Sequence, residues 1–154
     1  MNLDPGILDR ILRPLANRLF RLIARGVIRR VDDTGTVQLV QASYLAGEDI
    51  DRQERVIQYG LASVPPEGSE CVTVFPNGNR DHGLVLGTLD RKHRAAGLEP
   101  GEVALYTQEN AQAPGHRIVL RQGGAVEIHC RTFTLKAEDE IVLETRQLKL
   151  QKAP

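Results

Sequence analysis

The stretch that decides the fold is "AVEIHCRTFTLKAEDEIVLETRQLKLQ", residues 125–151, in which apolar and polar residues alternate as in a β-strand. Its short apolar runs begin at Val126, Phe133, Ile141 and Leu148, so the steps between them are seven, eight and seven residues. Such even steps predict a repeat of one short strand and one corner. The corners lack the Asn-Gly or Asp-Gly pair typical of a hairpin and instead carry Arg131, Thr132, Asp139, Arg146 and Gln147.

The apolar positions of this repeat predict that the segment associates with copies of itself. A lone ribbon would leave much of its apolar surface exposed and its strand edges unpaired. Copies wound about a common axis would pair every edge and turn every second side chain toward the centre, although these residues do not set the number of copies. A sheet packed on the rest of the chain is the weaker alternative, because no other segment offers a second apolar face. The predicted inward positions are Val126, Ile128, Phe133, Leu135, Ile141, Leu143, Leu148 and Leu150.

The composition is typical of a globular protein. Of the 154 residues, 41% are hydrophobic and 26% are charged, and the formal net charge of zero argues against bulk attraction to nucleic acid. Aromatic residues make up only 4%, which is few for a base-stacking platform. Cys71 and Cys130 lie in apolar alternations and are predicted to be buried thiols. We expect neither a signal peptide nor a transmembrane span, and therefore a soluble cytosolic product.

The start of the chain predicts an amphipathic helix over residues 4–25, with leucines at helical spacing. Pro14 predicts a kink, or two short helices that meet near Arg13. Residues 10–31 contain seven arginines and no acidic residue. The unmatched apolar face favours docking on an acidic partner or on nucleic acid over a helix packed on its own domain with a solvated basic face.

From Gly26 the apolar period changes to two. Short runs at this spacing, separated by turn-forming residues, predict a small closed OB-like β-barrel over residues 26–90. In the turn before the last strand, Asn77 and Gly78 are expected to take the positive φ of a hairpin tip. The five predicted strands are "GVIRRVDD", "TVQLVQAS", "RVIQYGLAS", "ECVTVFP" and "HGLVLGTL".

Two further segments follow the predicted barrel. Residues 90–102 read as a charged connector with Pro and Gly near its end, which is typical of a boundary between modules. After it, "GHRIVLRQGGAVEIHC" predicts a hairpin-like pair across Gly123 and Gly124.

Two stretches carry a family resemblance: "LRPLANRLFRLIARGVIRRVDDTGTVQLVQASYLAGE" and "FPNGNRDHGLVLGTLDRKHRAAGLEPGEVALYT". They resemble the Mu-like baseplate assembly protein V family, the central spike proteins of contractile-tailed phages. The resemblance implies a mainly β homotrimer with an OB-fold ring and an intertwined triple-stranded β-helix that forms a needle below the baseplate hub. Combined with the patterns above, it predicts a docking helix over residues 1–25, a barrel with its connector over 26–102, and the needle over 103–154.

The function implied by this resemblance is mechanical. Sheath contraction would drive the needle through the outer membrane of a Gram-negative host. The chain would be assembled in the host cytoplasm and reside in the tail baseplate of the virion, with the hub protein as its partner. For hub docking we predict Leu12, Leu15, Arg18, Leu19, Arg21 and Leu22.

One feature of the family is missing. Many such spikes end in an apex where a His-x-His motif binds iron, and this sequence has no His-x-His. A threefold ring of His129 is conceivable, but a lone histidine in a strand is more often a surface or core residue, so no metal and no cofactor are predicted. We expect either a separate tip protein that caps the needle near Leu150 or a blunt end.

Neither an enzyme nor a nucleic-acid binder fits the residues as well as a spike. Glu138, Asp139 and Glu140 are consecutive in a strand corner, so they point in different directions and form no pocket for acid catalysis. No enzyme activity is predicted. The alternative is an OB-fold nucleic-acid-binding protein with a basic N-terminal helix, whose candidate stacking residues would be Tyr44, Tyr59 and Phe75.

Overall fold

The computed structural model describes residues 5–111 and 115–150, apart from the side chains of residues 5–9, 11, 18, 46, 110 and 111. Within these ranges the chain is mainly β, as predicted, with an α-helix at its start. The elements are α1 (Pro5–Phe20), β1 (Ile23–Asp32), β2 (Leu39–Ser43), β3 (Asp49–Arg55), β4 (Glu70–Val74), β5 (Leu84–Leu89), β6 (Val103–Tyr106), β7 (Arg117–Leu120) and β8 (Val126–His129). Short 3₁₀ turns lie at Leu45–Gly47, Pro76–Gly78, Gln108–Ala111 and Gln122–Gly124.

Strands β1 to β5 close into a barrel in the order β1-β2-β3-β5-β4. Strand β1 is 10 residues long, and this length lets its first half pair with β4 and its second half with β2. Neighbouring strands are antiparallel except β3 and β5, which run parallel where Glu54 pairs with Leu84. Each barrel strand therefore has a hydrogen-bonded neighbour on both sides.

The barrel core is small and partly polar. The Tyr44 and Phe75 rings meet edge to face, with 5.7 Å between their centroids. The Tyr44 hydroxyl donates to Oε1 of Gln53 at 2.5 Å and lies 2.6 Å from Oγ1 of Thr73, so these buried polar groups satisfy one another. Cys71 is buried, as predicted, while Cys130 is only partly buried. The core cluster comprises Ile28, Val40, Ala42, Tyr44, Cys71, Phe75 and Val85.

The predicted third strand, "RVIQYGLAS" at residues 55–63, is wrong. The third strand is β3, Asp49–Arg55, which the sequence pattern had placed in a turn. Its fully buried side chain is the polar Gln53, held by the Tyr44 hydroxyl, so β3 shows no apolar alternation. The chain after Arg55 instead forms a loop, anchored where Arg55 Nη1 donates to the Ser63 carbonyl oxygen at 2.7 Å.

The other strand and turn predictions are confirmed. The predicted runs at residues 26–33, 36–43, 70–76 and 82–89 overlap β1, β2, β4 and β5. Asn77 and Gly78 both have positive φ, at 56° and 70°. These angles let the chain turn tightly between β4 and β5, which pair as antiparallel neighbours.

The helix differs from its prediction in two respects. It runs without interruption through Pro14, so the prediction of two short helices is wrong. Pro14 is exposed, which leaves room for water at the carbonyl group that the proline cannot bond. The helix also ends at Phe20 rather than near residue 25, because Ile23 already pairs with Val74 of β4. Within the described ranges, no helix combines the length and apolar character needed to cross a bilayer.

Gly26 in β1 supplies a sharp test of the barrel packing. A Cβ at residue 26 would lie 2.7 Å from Cε1 of Tyr44 and 2.9 Å from the Ser43 carbonyl oxygen. Because that oxygen belongs to the backbone of β2, it cannot move away without disturbing the barrel. We expect Gly26→Ala to lower the free energy of unfolding by about 2–3 kcal/mol through overpacking.

Gly87 in β5 is the matched control for this substitution. A Cβ at residue 87 would meet no atom within 4 Å, so Gly87→Ala should leave stability unchanged or slightly raised. Urea unfolding followed by circular dichroism, at one protein concentration, measures both variants. Equal unfolding midpoints for the two variants would show that the Tyr44 ring does not pack on Gly26.

Strands β6, β7 and β8 form a separate antiparallel sheet in that order. The predicted hairpin is confirmed, since β7 pairs with β8 across Gly123 and Gly124, which both have positive φ. The predicted boundaries at residues 26, 102 and 103 stay a prediction.

Residues 130–150 follow β8 and contain no strand within the single chain. Bends interrupt this segment at residues 131, 138–139 and 146. Three of the predicted corner residues, Arg131, Asp139 and Arg146, lie at these bends. The predicted step of seven to eight residues is therefore present, although the strands of the predicted repeat are not formed by one chain alone.

Candidate assembly surfaces

The first candidate surface is the apolar face of α1. Leu12, Leu15 and Leu19 lie on the helix and are exposed, and Arg21 directly after it is exposed too. Leu22 is half-buried, since its carbonyl oxygen accepts a hydrogen bond from the Phe75 backbone at 2.7 Å. The structure thus brings most of the predicted docking residues together at the start of the chain. The side chain of Arg18 lies outside the described residues.

Sequence reasoning missed two exposed apolar residues beside this helix face. Phe20 at the end of α1 and Ile23 at the start of β1 are largely exposed. Their signal was available, because both continue the apolar spacing of the leucines. We therefore extend the helix surface to include Phe20 and Ile23.

The barrel end near this helix carries an ordered ion pair. Nε of Arg80 donates to Oε1 of Glu48 at 3.2 Å, and the guanidinium carbon lies 3.9 Å from the centroid of the Phe75 ring. The hydrogen bond from Arg80 lowers the pKa of Glu48, with a smaller contribution from the charge of Arg21. Glu48 therefore stays ionised beside the helix end at neutral pH.

The second candidate surface is one face of the β6–β7–β8 sheet. The register aligns Val103 with Leu120 and Leu120 with Val126, and aligns Leu105 with Ile118 and Ile118 with Ile128. Side chains alternate between faces along a strand, so these six aliphatic residues share one face. Their exposed fractions run from 40% for Ile118 to 62% for Val126. We call Val103, Leu105, Ile118, Leu120, Val126 and Ile128 the aliphatic sheet face.

Sequence reasoning found only part of this face. It identified Val126 and Ile128 and missed the four aliphatic residues of β6 and β7. The signal existed in "VALY" and "RIVL", where aliphatic residues recur at every second position. It was overlooked because the pairing of β6 with β7 spans a connection that the alternation alone does not show.

The opposite face of this sheet is covered and charged. Val119 is buried there, and Ala95 of the connector is buried as well. Arg121 donates from Nη1 to Glu102 Oε2 at 2.9 Å and from Nη2 to Glu127 Oε2 at 3.1 Å. These hydrogen bonds from Arg121 are the main cause of the lowered pKa of Glu127. The sheet thus has one ionic face and one aliphatic face.

The third candidate surface is the tail, residues 130–150. The tail members of the predicted inward set are all exposed in the single chain, and these are Phe133, Leu135, Ile141, Leu143, Leu148 and Leu150. Val142, which alternation places on the other side, is equally exposed. No described part of the same chain therefore buries the apolar positions of the tail.

His129 has a protein partner that was not anticipated. Its Nε2 lies 3.3 Å from Oε2 of Glu127, on the ionic face of the sheet. Within residues 5–111 and 115–150, no three His, Cys, Asp or Glu side chains cluster in a way that could hold a metal ion.

Comparisons with known proteins match the barrel and the segments beyond it. A family model described as "Bacteriophage Mu Gp45, N-terminal" matches residues 25–92. The chain is 35% identical over 142 residues to "Baseplate puncturing device gp45" of Escherichia phage Mu, which covers 92% of this chain and 70% of that protein. The chain belongs to the Mu-like baseplate protein family. The resemblance seen in the sequence is thereby confirmed.

A second member of the Mu-like baseplate family supports the same assignment. "Mu-like prophage FluMu protein gp45" of Haemophilus influenzae is 33% identical over 131 residues, which covers 85% of this chain and 69% of that protein. The aligned lengths exceed the barrel in both comparisons, so the likeness to the family extends beyond the five barrel strands.

Family membership and geometry together do not favour the nucleic-acid alternative. Of the three candidate stacking residues, Tyr44 and Phe75 are buried in the barrel core, and only Tyr59 is exposed. Several arginines of the basic stretch already have partners in the barrel. Arg25 pairs with Glu70, Arg29 donates to Ser43 at 2.7 Å, and Arg30 lies 3.5 Å from Asp51.

The acidic cluster in the tail lies in the open. Glu138, Asp139 and Glu140 are all exposed at the bend of residues 138–139, and no pKa shift toward an acid catalyst distinguishes them by burial. They are better described as a solvated corner of the tail.

Proposed function

We propose that the chain is the central spike of a contractile phage tail baseplate, and that three copies form one needle. The relative from Escherichia phage Mu bears the name "Baseplate puncturing device", and this name supports the same role here. In this proposal sheath contraction drives the needle through the outer membrane of the host. The work is mechanical, and no catalytic step by this chain is required.

The observation that carries the proposal is the state of the tail. Residues 130–150 are extended, bend at regular steps and expose their apolar side chains, yet form no strand within one chain. Backbone groups and apolar side chains in this arrangement call for partners. Three tails wound into an intertwined β-helix would supply hydrogen bonds to every edge and bury the inward set on the common axis.

The barrel has a supporting role in this proposal. Its strand order, with β1 between β2 and β4 and a short parallel pairing of β3 with β5, is the arrangement we assign to an OB-like barrel. Three such barrels would form a ring above the needle. The helix surface would then dock this ring on the baseplate hub, with Arg21 beside it to contact acidic groups of the hub.

Location and partners follow from this assembly. The chain would be made and trimerised in the host cytoplasm and then built into the tail baseplate of the virion. Its partners would be two further copies, the hub protein and a separate tip protein at the far end of the needle. Contact with the outer membrane would occur only on contraction.

The solution mass of the purified full chain tests the proposal. Sedimentation equilibrium should give three times the mass of the 17.1 kDa chain, without change on dilution through the micromolar range. A mass of one chain, together with a tail that resists proteolysis, would show that the tail finds its partners within its own chain and would overturn the needle.

A further inference from the structure

We infer that the aliphatic sheet face is a second self-association surface, which packs against the same face of other copies and acts separately from the tail. The inference rests on the proposed function, because the partner is another copy of this chain. It adds an interface that the tail pattern does not predict. It also assigns four residues to the interface for the first time: Val103, Leu105, Ile118 and Leu120.

The chemistry of the face limits what can cover it. The aligned rows Val103–Leu120–Val126 and Leu105–Ile118–Ile128 contain no charged or hydrogen-bonding side chain. An acidic or basic partner would therefore lose hydration here without gaining an ion pair. An equally aliphatic surface fits without that loss, and the same face of another copy is such a surface.

The continuity of the chain favours copies over an unrelated partner. Strand β8 runs directly into the tail, and Val126 and Ile128 belong to the same alternation as Phe133. If tails wind about a common axis, the residues immediately before them are brought to that axis too. A groove of about 640 Å³ joins the two surfaces, since Ile118 and Ile128 of the sheet and Phe133 of the tail line it together.

The two surfaces would be stabilised in different ways. The central strand β7 is already hydrogen-bonded on both sides within its own chain, to β6 and to β8. The sheet therefore brings finished secondary structure to the interface and contributes apolar packing. The tail has no strand of its own and must obtain its hydrogen bonds from other copies. A substitution on the sheet face should consequently weaken association without unfolding the sheet.

Leu105→Glu in the full chain tests this inference. Leu105 is 54% exposed in β6, so glutamate is tolerated in the single chain but would place one carboxylate from each copy in an apolar contact. The protein concentration at which half of the trimer dissociates should rise by roughly a hundredfold or more. The matched control is Leu86→Glu, because Leu86 is also a strand leucine with 54% exposure but lies on the barrel wall.

Cross-linking guards against a variant that fails to fold. Leu120→Cys in a Cys130→Ser background should form disulfides between copies on mild oxidation, because Leu120 lies on the face, while Leu86→Cys in that background should not. This second measurement introduces no charge. It reports directly whether the sheet faces of different copies meet.

The outcomes separate the inference from the proposed function. A parent chain that is a monomer would overturn both. A trimeric parent whose stability to dilution is equal for Leu105→Glu and Leu86→Glu, with no cross-link through Leu120→Cys, would overturn the inference and leave the tail-based needle in place. Selective loss with Leu105→Glu and selective cross-linking through Leu120→Cys support it.

Discussion

Leu143→Glu is expected to turn the trimer into single chains, while Val142→Glu leaves it intact. The two residues are neighbours in the tail and are about equally exposed in one chain, at 67% and 62%. They differ only in the side of the alternation, since Leu143 belongs to the inward set and Val142 does not. A difference between them can therefore come only from association.

The size of the expected effect follows from burial on the axis. Each copy loses the burial of one leucine, about 1.5–3 kcal/mol, and three carboxylates are brought close together in an apolar layer. Light scattering during gel filtration measures the mass of each variant. If both variants retained the threefold mass, or both lost it, the alternation would not describe the inside and outside of a needle.

Leu19→Asp is expected to leave the trimer intact and to abolish its incorporation into baseplates. Leu19 is 68% exposed on α1, far in sequence from the sheet and tail. Removing one central apolar anchor from a docking interface typically costs about 2–4 kcal/mol, which weakens binding by roughly thirtyfold to a thousandfold. The spike would then be made and assembled but not retained in the particle.

The measurement compares tail particles produced with the variant as the sole copy of the spike. Immunoblots of purified particles should lack the Leu19→Asp chain, while gel filtration of the free protein gives the parental mass. Leu86→Asp on the barrel wall serves as the control and should enter particles normally. Normal incorporation of Leu19→Asp would remove the docking role of the helix.

Much of the fold was accessible from local patterns. The β1, β2, β4 and β5 strands were found because each places apolar side chains in the core at every second position. The turn at Asn77 and Gly78 was found because few residues adopt positive φ readily. The uniform step of the tail bends was found because it needs only the spacing of apolar residues along the chain.

Other features depended on partners distant in sequence. Strand β3 was missed because its buried residue, Gln53, is polar and is acceptable in the core only through the hydroxyl of Tyr44. The helix end was misplaced because the pairing of Ile23 with Val74 ends it, and local helical periodicity contains no information about that contact.

The sequence by itself determined that the chain is mainly β, that it begins with a basic amphipathic helix and that its tail carries an unsatisfied apolar repeat. These properties are local, since they follow from the order of polar and apolar residues over a few positions. Only the tertiary structure decided which strands close the barrel and that β6, β7 and β8 gather six aliphatic side chains on one exposed face. That face arises from strand register, and register joins residues that no local pattern connects.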